Sequence, residues 1–402
     1  MTDLSAVMND ADLQSEVRGW LDANWTPEAR AALQVPAGRT AWLERVLAAG
    51  WAVPRWPVDY QGRNLSEEQA EIVVAAFEGV GAPGTGQDTS NLWANTLLAT
   101  GQEALKRELL PKLLTDAVDM CLLYSEPGAG SDLAAVRTRA DRERDTWIVT
   151  GQKVWTSGAA IADYGLLLAR TDWDVPKHKG LSFFILPMKQ AGVDVRLIHQ
   201  ITGDAHFSEV FIDAAVVPAL NLLGEENGGW RVLQTALAYE RLVMGEGIGE
   251  RRQGSCEDNS VDLIALARTA ECLGNPLIRQ DIARAIGYRR LNKLNITRAK
   301  AEMEQGSTSS IMSMSKLAMS RILHEDARVM TAILGTASIL DGSDHPAASD
   351  INYRTANAYM TSIGGGTDQI QRNIIAERVL GLPREIEVDR DRPFRESRAV
   401  TE

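Results

Sequence analysis

The spacing of apolar residues changes twice along the chain, and this limits the possible folds more than any other feature. From about residue 10 to 120, apolar residues recur every three or four positions, as in SEEQAEIVVAAFEGVG, which predicts amphipathic helices. Between about 121 and 225 the chain consists of short β-branched or aromatic runs separated by turn residues, which predicts strands. The helical spacing returns after Gly228 and continues to about Leu382. This order argues against an alternating βαβ nucleotide-binding fold.

The three blocks predict a mostly helical α+β protein with several domains, because 402 residues exceed what one core usually supports. We predict an N-terminal helical domain over residues 1–120, a middle β domain over 121–225 and a C-terminal helical bundle over 226–385. Residues 386–402 have little to bury, so we expect a loose tail. The predicted strands of the β domain are TWIVTGQKVW, YGLLLARTD, LSFFILPM, VDVRLIHQI and SEVFIDAAVV.

Charge and cysteine usage exclude several classes of protein. A net charge of −12 argues against nucleic-acid binding, which needs clustered Lys and Arg. Cys121, Cys256 and Cys272 form no CxxC pair and the five histidines are scattered, so no metal site is expected. The acidic N-terminus does not resemble a signal peptide, and no apolar run is long enough for a membrane span. We therefore predict a cytoplasmic protein.

Small hydroxyl residues and glycines open the predicted β domain in CLLYSEPGAGSDLAAVRTRA. Ser125, Gly128, Gly130, Ser131 and Asp132 combine side-chain hydroxyls with exposed backbone amides, which suits a polar planar ring or a phosphate. An ordinary turn is the alternative interpretation.

A second hydroxyl run lies in VWTSGAAIADY, where Trp155 precedes Thr156 and Ser157. An indole available for stacking, next to hydroxyl donors, suits an isoalloxazine ring. The alternative is a tryptophan that fills the β core.

A carboxylate interrupts the apolar stripe of the helix predicted for GWRVLQTALAYERLVMGEG. On that helix Glu240 shares a face with Trp230, Leu233, Leu237 and Met244. Burial there is expected to raise its pKa toward the value that a general base needs near neutral pH. The alternative is a structural ion pair with Arg241 or another cation.

Three consecutive glycines stand ahead of a predicted helix in SIGGGTDQIQR. Glycine has no β-carbon, so a run of glycines is typical of a backbone that bends sharply or of a site that a ligand approaches closely. Local sequence leaves open whether this segment is a turn between helices or part of a binding site.

Four blocks, taken in order, resemble the signature segments of the acyl-CoA dehydrogenase family over nearly the whole chain. They are YSEPGAGSDLAAVRT, GQKVWTSGAAIADYGLLLARTD, VVPALNLLGEENGGW and GGGTDQIQRNIIAERVLGLP. The resemblance implies an N-terminal helical domain, a middle β domain and a C-terminal four-helix bundle. It also implies oxidation of an acyl-CoA thioester to the 2,3-enoyl-CoA, in which a glutamate takes the α-proton and FAD accepts the β-hydride at N5.

The resemblance also assigns roles to individual residues. It implies FAD contacts for Tyr124, Ser125, Ser131, Trp155, Thr156, Ser157, Thr367, Asp368 and Gln369. It implies acyl-CoA contacts for Ser131, Arg241, Gly365 and Gly366. Within these sets, Trp155 would pack on the flavin ring and Ser157 would hydrogen-bond near N5.

The position of the catalytic base distinguishes subgroups of the family. Most members carry the glutamate directly before the Gly-Thr dipeptide, where this chain has Gly365. A minority, including isovaleryl-CoA, long-chain and certain bacterial steroid side-chain dehydrogenases, carry it in a Glu-Arg pair that corresponds here to Glu240 and Arg241. The resemblance therefore makes Glu240 the expected base, and the glycines would leave space where a second carboxylate would repel it.

Two positions depart from the family pattern and bear on the assembly. The usual Arg-x-x-Phe is not visible around LGNPLIRQDIARA, and the usual Gln before Leu-Gly is Ala332. Both normally reach the FAD of a neighbouring subunit. We therefore expect either a homotetramer or homodimer, or a heterotetramer in which a related subunit supplies these contacts.

The resemblance implies that an electron-transfer flavoprotein accepts the electrons. The rival readings are an acyl-CoA oxidase, although its usual extra C-terminal domain is not found in these 402 residues, and a structural subunit of a mixed tetramer. The acyl group cannot be read from the sequence, although a base on the Glu240 helix favours branched or ring-bearing chains.

Overall fold

The computed structural model describes residues 9–245, 261–304, 312–343 and 345–397. The chain forms two compact units. The first unit comprises Met1–Ile198, His206–Gly249 and Asp389–Glu402, and the second comprises His199–Ala205 and Glu250–Val388. No helix in the described part of the chain is long and apolar enough to span a membrane.

The helices of the first unit begin and end where local chemistry predicts. Ser66 and Gln69 form a reciprocal capping box at the start of one helix, and Gly81, with a φ of 69°, ends it in a left-handed conformation. The helices are α1 (Asp10–Asn24), α2 (Pro27–Ala32), α3 (Pro36–Ala48), α4 (Glu67–Val80), α5 (Gln87–Ser90), α6 (Leu92–Thr100), α7 (Glu103–Leu114) and α8 (Gly229–Gly245).

The first unit also contains one eight-stranded sheet. Its strands are β1 (Met120–Leu123), β2 (Arg139–Glu143), β3 (Thr146–Ser157), β4 (Tyr164–Arg170), β5 (Leu181–Pro187), β6 (Val193–Ile198), β7 (Phe207–Pro218) and β8 (Leu222–Leu223). The strand order is β6-β7-β3-β2-β4-β5-β8, and β1 pairs with β4 in parallel. The predicted strands are confirmed as β3 to β7. The predicted order of helices, strands and helices is also confirmed.

A continuous apolar core joins the sheet to the helices of the first unit and fixes the position of α8. Trp42 and Phe77 come from the helices, Phe183 from β5, and Leu233 and Ala236 from α8, and all are buried in one cluster. Burial of each large apolar side chain contributes about 1.5–3 kcal/mol. The buried residues of α8 therefore anchor this helix to the core.

Five helices of the second unit are described: α9 (Leu263–Thr269), α10 (Pro276–Glu304), α11 (Met312–Leu334), α12 (Pro346–Ile363) and α13 (Asp368–Ile374). Apolar side chains from α9, α10, α11 and α12 form a separate core. Ala332, which stands where the family usually carries Gln, lies exposed on α11.

The predicted loose tail over residues 386–402 is wrong for residues 389–397. Phe394 has no exposed surface, and its ring lies 5.5 Å from that of Trp173 in the first unit. The tail has a low apolar content, but a single aromatic residue is enough to anchor it. Residues 398–402 lie outside the described part of the chain.

Candidate active site

One buried carboxylate closes the loop that follows β1. The backbones of Glu126 and Ala129 exchange two hydrogen bonds of 3.0 Å. The Glu126 side chain accepts hydrogen bonds from the backbone N–H groups of Arg137 at 2.6 Å and Thr138 at 2.8 Å. The loop over residues 126–138 is therefore tied together at its base.

Lys153 is fully buried on β3 and holds this loop to the sheet. Its ammonium donates to the backbone carbonyls of Tyr124 at 3.1 Å and Leu168 at 2.7 Å, and to Glu126 Oε1 at 2.8 Å. Burial alone would raise the pKa of the Glu126 carboxyl, but Lys153 and the hydrogen bonds to the carboxylate hold that pKa below its ordinary value. Burial also lowers the pKa of Lys153, and the charge of Glu126 opposes that change. With Lys153 Nζ 2.8 Å from Glu126 Oε1, the two side chains have the geometry of a buried ion pair.

The loop held by this pair presents small and polar groups at the surface. Ser131 and Asp132 are exposed, and a Cβ placed on Gly128 or Gly130 would meet no atom within 4 Å. At the start of the loop, the carbonyl of Ser125 accepts a hydrogen bond of 3.0 Å from the backbone N–H of Val154. This bond brings the first predicted hydroxyl run next to the second.

Trp155 occupies a strained position at an irregularity of β3. The pairing of β3 with β7 shifts register between Lys153 and Thr156, and Trp155 has a φ of 62°. A left-handed conformation costs an L-residue about 1–2 kcal/mol. The indole is 59% exposed and touches the ring of Phe207 edge-on at 6.0 Å. The interpretation of Trp155 as a buried core residue is therefore wrong.

Thr156 differs from its two neighbours in the burial of its side chain. Ser157 is exposed like Trp155, whereas Thr156 is 1% exposed and lies opposite Ser208, which is buried too. The hydroxyls of Thr156 and Ser208 have no hydrogen-bond partner among the described residues. The Thr156 side chain is thus buried in the sheet, whereas the side chains of Trp155 and Ser157 are exposed to solvent.

Glu240 lies on α8, half-buried on the same face as Leu233 and Leu237. Its charge acts on Tyr124, which is 7% exposed. Burial, and secondly the negative charge of Glu240, raise the pKa of the Tyr124 phenol well above its ordinary value. Glu240 therefore lies within electrostatic reach of the residue that directly precedes Ser125.

The Tyr124 hydroxyl is buried and has no hydrogen-bond partner among the described residues. Its ring packs against that of Phe183 with centroids 5.6 Å apart. A buried phenol of this kind normally finds a partner. The phenol is therefore a hydrogen-bond donor without a described partner, within electrostatic reach of the predicted base.

In the second unit, three glycines precede α13, and the backbone angles favour glycine at two of these positions. Gly365 has a φ of 62° and Gly366 a φ of 85°, whereas Gly364 has ordinary extended geometry. The carbonyl of Gly365 accepts a hydrogen bond of 3.2 Å from Gln371 Nε2, and a Cβ on Gly366 would lie 2.9 Å from that nitrogen. This supports the turn interpretation of the glycine run and leaves its role in binding a prediction.

Thr367 and Asp368 have structural partners inside the second unit. The Thr367 hydroxyl caps α13 by accepting a hydrogen bond of 3.2 Å from the backbone N–H of Ile370. Asp368 accepts a hydrogen bond of 2.8 Å from Ser320 and pairs with Lys316 at 3.3 Å. Gln369 is exposed. Of these three side chains, that of Gln369 is the most accessible to a ligand.

Within the first unit, the backbone of Ser125 thus contacts that of Val154, which directly precedes Trp155, and the charge of Glu240 reaches Tyr124. That these residues form one binding site stays a prediction. The side chains of Arg241 and Met244 are not described, and Cys256 lies outside the described residues. No group of three or more His, Cys, Asp or Glu that could hold a metal ion occurs among the described residues.

Sequence reasoning missed the buried residues that shape the site. Glu126, Lys153 and Arg170 lie inside the segments that were singled out, yet none was predicted to matter. The available signal was a cation within each of two predicted strands: Lys153 in GQKVW and Arg170 in YGLLLARTD. A buried cation requires a partner, so each pointed to a specific polar contact.

The chain belongs to the acyl-CoA dehydrogenase family. Models of the N-terminal, middle and C-terminal domains of that family match residues 9–117, 121–214 and 227–380. The recognition made from the four sequence blocks is confirmed, and the chain is an enzyme of the oxidoreductase class.

The chain is similar to one sequence relative and to two solved structures described here. The acyl-CoA dehydrogenase IpdE1 of Mycobacterium tuberculosis is 36% identical over 391 residues, which cover 93% of this chain and 98% of that protein. The structure named Tcur3481-Tcur3483 steroid ACAD has a TM-score of 0.68 and 28% identity, covering 94% of this chain and 98% of the matched chain. The ChsE4-ChsE5 complex of Mycobacterium tuberculosis has a TM-score of 0.63 and 28% identity, covering 96% of this chain and 100% of the matched chain.

Proposed function

We propose that this chain uses FAD to oxidise the α,β bond of an acyl-CoA thioester to the 2,3-enoyl-CoA, with Glu240 as the base that takes the α-proton. The observation that carries the proposal is the half-buried Glu240, which lies within electrostatic reach of Tyr124 at the start of the Ser125 loop. A partly desolvated carboxylate is suited to accept a proton near neutral pH.

The surface of the first unit fits an isoalloxazine ring. Open space beside Gly128 and Gly130 admits a ligand close to the backbone, and Trp155 offers an exposed indole face. Ser125, Ser131 and Ser157 supply hydroxyls at its border. Bound FAD would supply the hydride acceptor, while the protein orients the substrate and excludes water.

The remaining roles are carried over from the family resemblance. In the second unit, Thr367, Asp368 and Gln369 would hold another part of FAD. Gly365 and Gly366 would lie beside the acyl thioester, and Arg241 would contact the CoA arm. For Thr367 and Asp368 the backbone is the better candidate, because their side chains already have structural partners.

The proposed substrate is a CoA ester with a bulky, ring-bearing acyl chain. Support comes from the base on the Glu-Arg helix and from the likeness to a structure named as a steroid ACAD. Turnover should be compared among straight-chain, branched and steroid-derived CoA esters. A preference for straight chains would contradict this part of the proposal.

We further propose that the chain works with a related subunit and passes its electrons to an electron-transfer flavoprotein. The exposed Ala332 and the absent Arg-x-x-Phe support the first point, as does the likeness to the ChsE4-ChsE5 complex. Flavin content should be measured for the chain expressed alone and with a related subunit. Full flavin loading of the chain alone would favour the homomeric assembly.

Two simple observations separate this proposal from its rivals. A catalytically incomplete subunit would be colourless or would hold a flavin that acyl-CoA does not bleach. An acyl-CoA oxidase would be reoxidised rapidly by air, whereas the proposed dehydrogenase needs the flavoprotein acceptor.

The Trp155→Gly variant should separate flavin binding from folding. Glycine relieves the left-handed strain and the indole is largely exposed, so we expect the free energy of unfolding without flavin to stay within about 1 kcal/mol of wild type. Loss of the stacking surface should weaken flavin binding by about tenfold and change the flavin spectrum.

Ser157→Ala should have a smaller effect, because it removes one hydrogen bond of about 0.5–1.5 kcal/mol. If both variants keep the wild-type flavin spectrum and the wild-type affinity for flavin, Trp155 and Ser157 are ordinary surface residues.

Gly365→Glu is expected to abolish activity in an otherwise intact enzyme. The left-handed backbone at Gly365 makes any side chain cost about 1–2 kcal/mol. By the family resemblance this is the position of the base in most members, so a second acid there would compete with Glu240 for one proton. Combining it with Glu240→Gly moves the base to the commoner family position and should restore part of the activity. The matched control, Gly365→Gln with Glu240→Gly, has the same size but no base and should stay inactive. Full activity of Gly365→Glu alone would show that the glycines form only a turn.

A further inference from the structure

The segment 389–397, called here the C-terminal clamp, is bound to the loop between β4 and β5. The backbone N–H of Phe394 donates to the carbonyl of Val175 at 2.9 Å, and that of Arg395 donates to the carbonyl of Trp173 at 3.1 Å. The Arg395 guanidinium also donates to Asp174 at 2.6 Å. The clamp thus adds ordered backbone contacts as well as one buried aromatic ring.

The buried ring of the clamp lies against a buried cation. Arg170, at the end of β4, has no exposed surface, and its guanidinium carbon is 3.4 Å from the centre of the Phe394 ring. This is a cation–π contact in a desolvated setting, where such contacts are strongest. Burial lowers the pKa of Arg170 to about 10, so the side chain keeps its charge at neutral pH.

The same guanidinium holds the end of the proposed cofactor loop. Arg170 donates to the carbonyls of Ala134 at 2.6 Å and Val136 at 3.1 Å. These residues follow directly on Ser131 and Asp132. A third bond of 3.2 Å runs to the carbonyl of Lys177, whose own ammonium pairs with Asp132 at 2.8 Å.

We propose that the C-terminal clamp sets the conformation of residues 131–136 through the contact of Phe394 with Arg170. Phe394 and Arg170 are then positioning residues for the ligand of that loop. The three carbonyl bonds of Arg170 require one orientation of its guanidinium plane. Phe394 covers one face of that plane, which excludes water and prevents the side chain from turning away.

The identity of the ligand rests on the proposed function, in which Ser131 contacts FAD. The probe for the test is therefore FAD itself, added to flavin-depleted full-length chain. Hydrogen exchange of the amides over residues 132–137, measured on the same chain before FAD is added, gives a second readout that does not depend on the proposed function.

Phe394→Ala and Phe394→Leu are compared with the control Arg395→Ala. Leucine keeps most of the apolar volume but has no ring face, and Arg395→Ala removes only the exposed ion pair with Asp174. We expect both Phe394 variants to speed exchange over residues 132–137 and to weaken FAD binding, each by about 30-fold, the scale of one desolvated cation–π contact. Arg395→Ala should match wild type in both readouts.

Faster exchange confined to residues 171–177 and 389–397, with unchanged exchange over 132–137, would overturn the proposal. Wild-type behaviour of Phe394→Leu would overturn it too, because apolar volume would then suffice. If Phe394→Ala does not fold, the leucine variant decides. If wild type binds no FAD either alone or together with a related subunit, the proposed function fails, while the exchange result still tests the clamp.

Discussion

Glu240→Gln is expected to abolish turnover while the flavin stays bound. The amide keeps the size and shape of the side chain but cannot accept the α-proton. Loss of a general base costs about 10²–10⁴-fold in rate. The measurement is the rate of flavin bleaching by acyl-CoA without oxygen, together with the flavin content of the purified variant.

The matched control is Glu225→Gln, which makes the same chemical change at an exposed carboxylate shortly before α8. It should keep wild-type activity. If Glu240→Gln also turns over at the wild-type rate, the base lies elsewhere in the chain. If Glu240→Gln loses its flavin, Glu240 has a structural role in place of the catalytic one.

Lys153→Met is expected to destabilise the first unit by about 3–5 kcal/mol, because it leaves the Glu126 carboxylate buried without its cation. The variant should also loosen the loop over residues 126–138 and lower its affinity for flavin. The measurement is the free energy of unfolding from chemical denaturation. Adding Glu126→Gln to Lys153→Met removes the unpaired charge and should recover part of the loss.

A surface pair gives the control for this variant. Lys189 pairs with Asp163 at 2.6 Å, but its side chain is 69% exposed. Lys189→Met should cost about 0–1 kcal/mol. An equally small effect of Lys153→Met would show that the buried pair does not hold the loop.

The sequence predicted the fold well because its two apolar periods are long and clear. β4 and β5 were found because both are apolar runs bounded by turn residues, and α8 because its apolar residues repeat along one face. The clamp was missed because it depends on one aromatic residue in a polar segment. Average composition cannot reveal a single residue that packs against a partner far away in the chain.

The site was predicted less completely than the fold. Hydroxyl runs and the carboxylate at Glu240 are visible as residue types, and the backbone contact of Ser125 with Val154 brings the two runs together. Side-chain direction was harder to predict, as Thr156 shows, because the irregularity of β3 at Trp155 changes which residues face outward. The need for glycine at 365 and 366 follows from backbone angles that the sequence does not display.

Anaerobic titration of the flavin-loaded protein with steroid-derived acyl-CoA, followed by mass analysis of the CoA ester, tests the proposed reaction most directly. We expect the flavin absorption band to bleach in proportion to added substrate, and the ester to lose two hydrogens as it becomes the 2,3-enoyl-CoA. A flavin that stays oxidised with every ester of the panel, straight, branched or steroid-derived, would contradict the proposal that this chain is a catalytic acyl-CoA dehydrogenase.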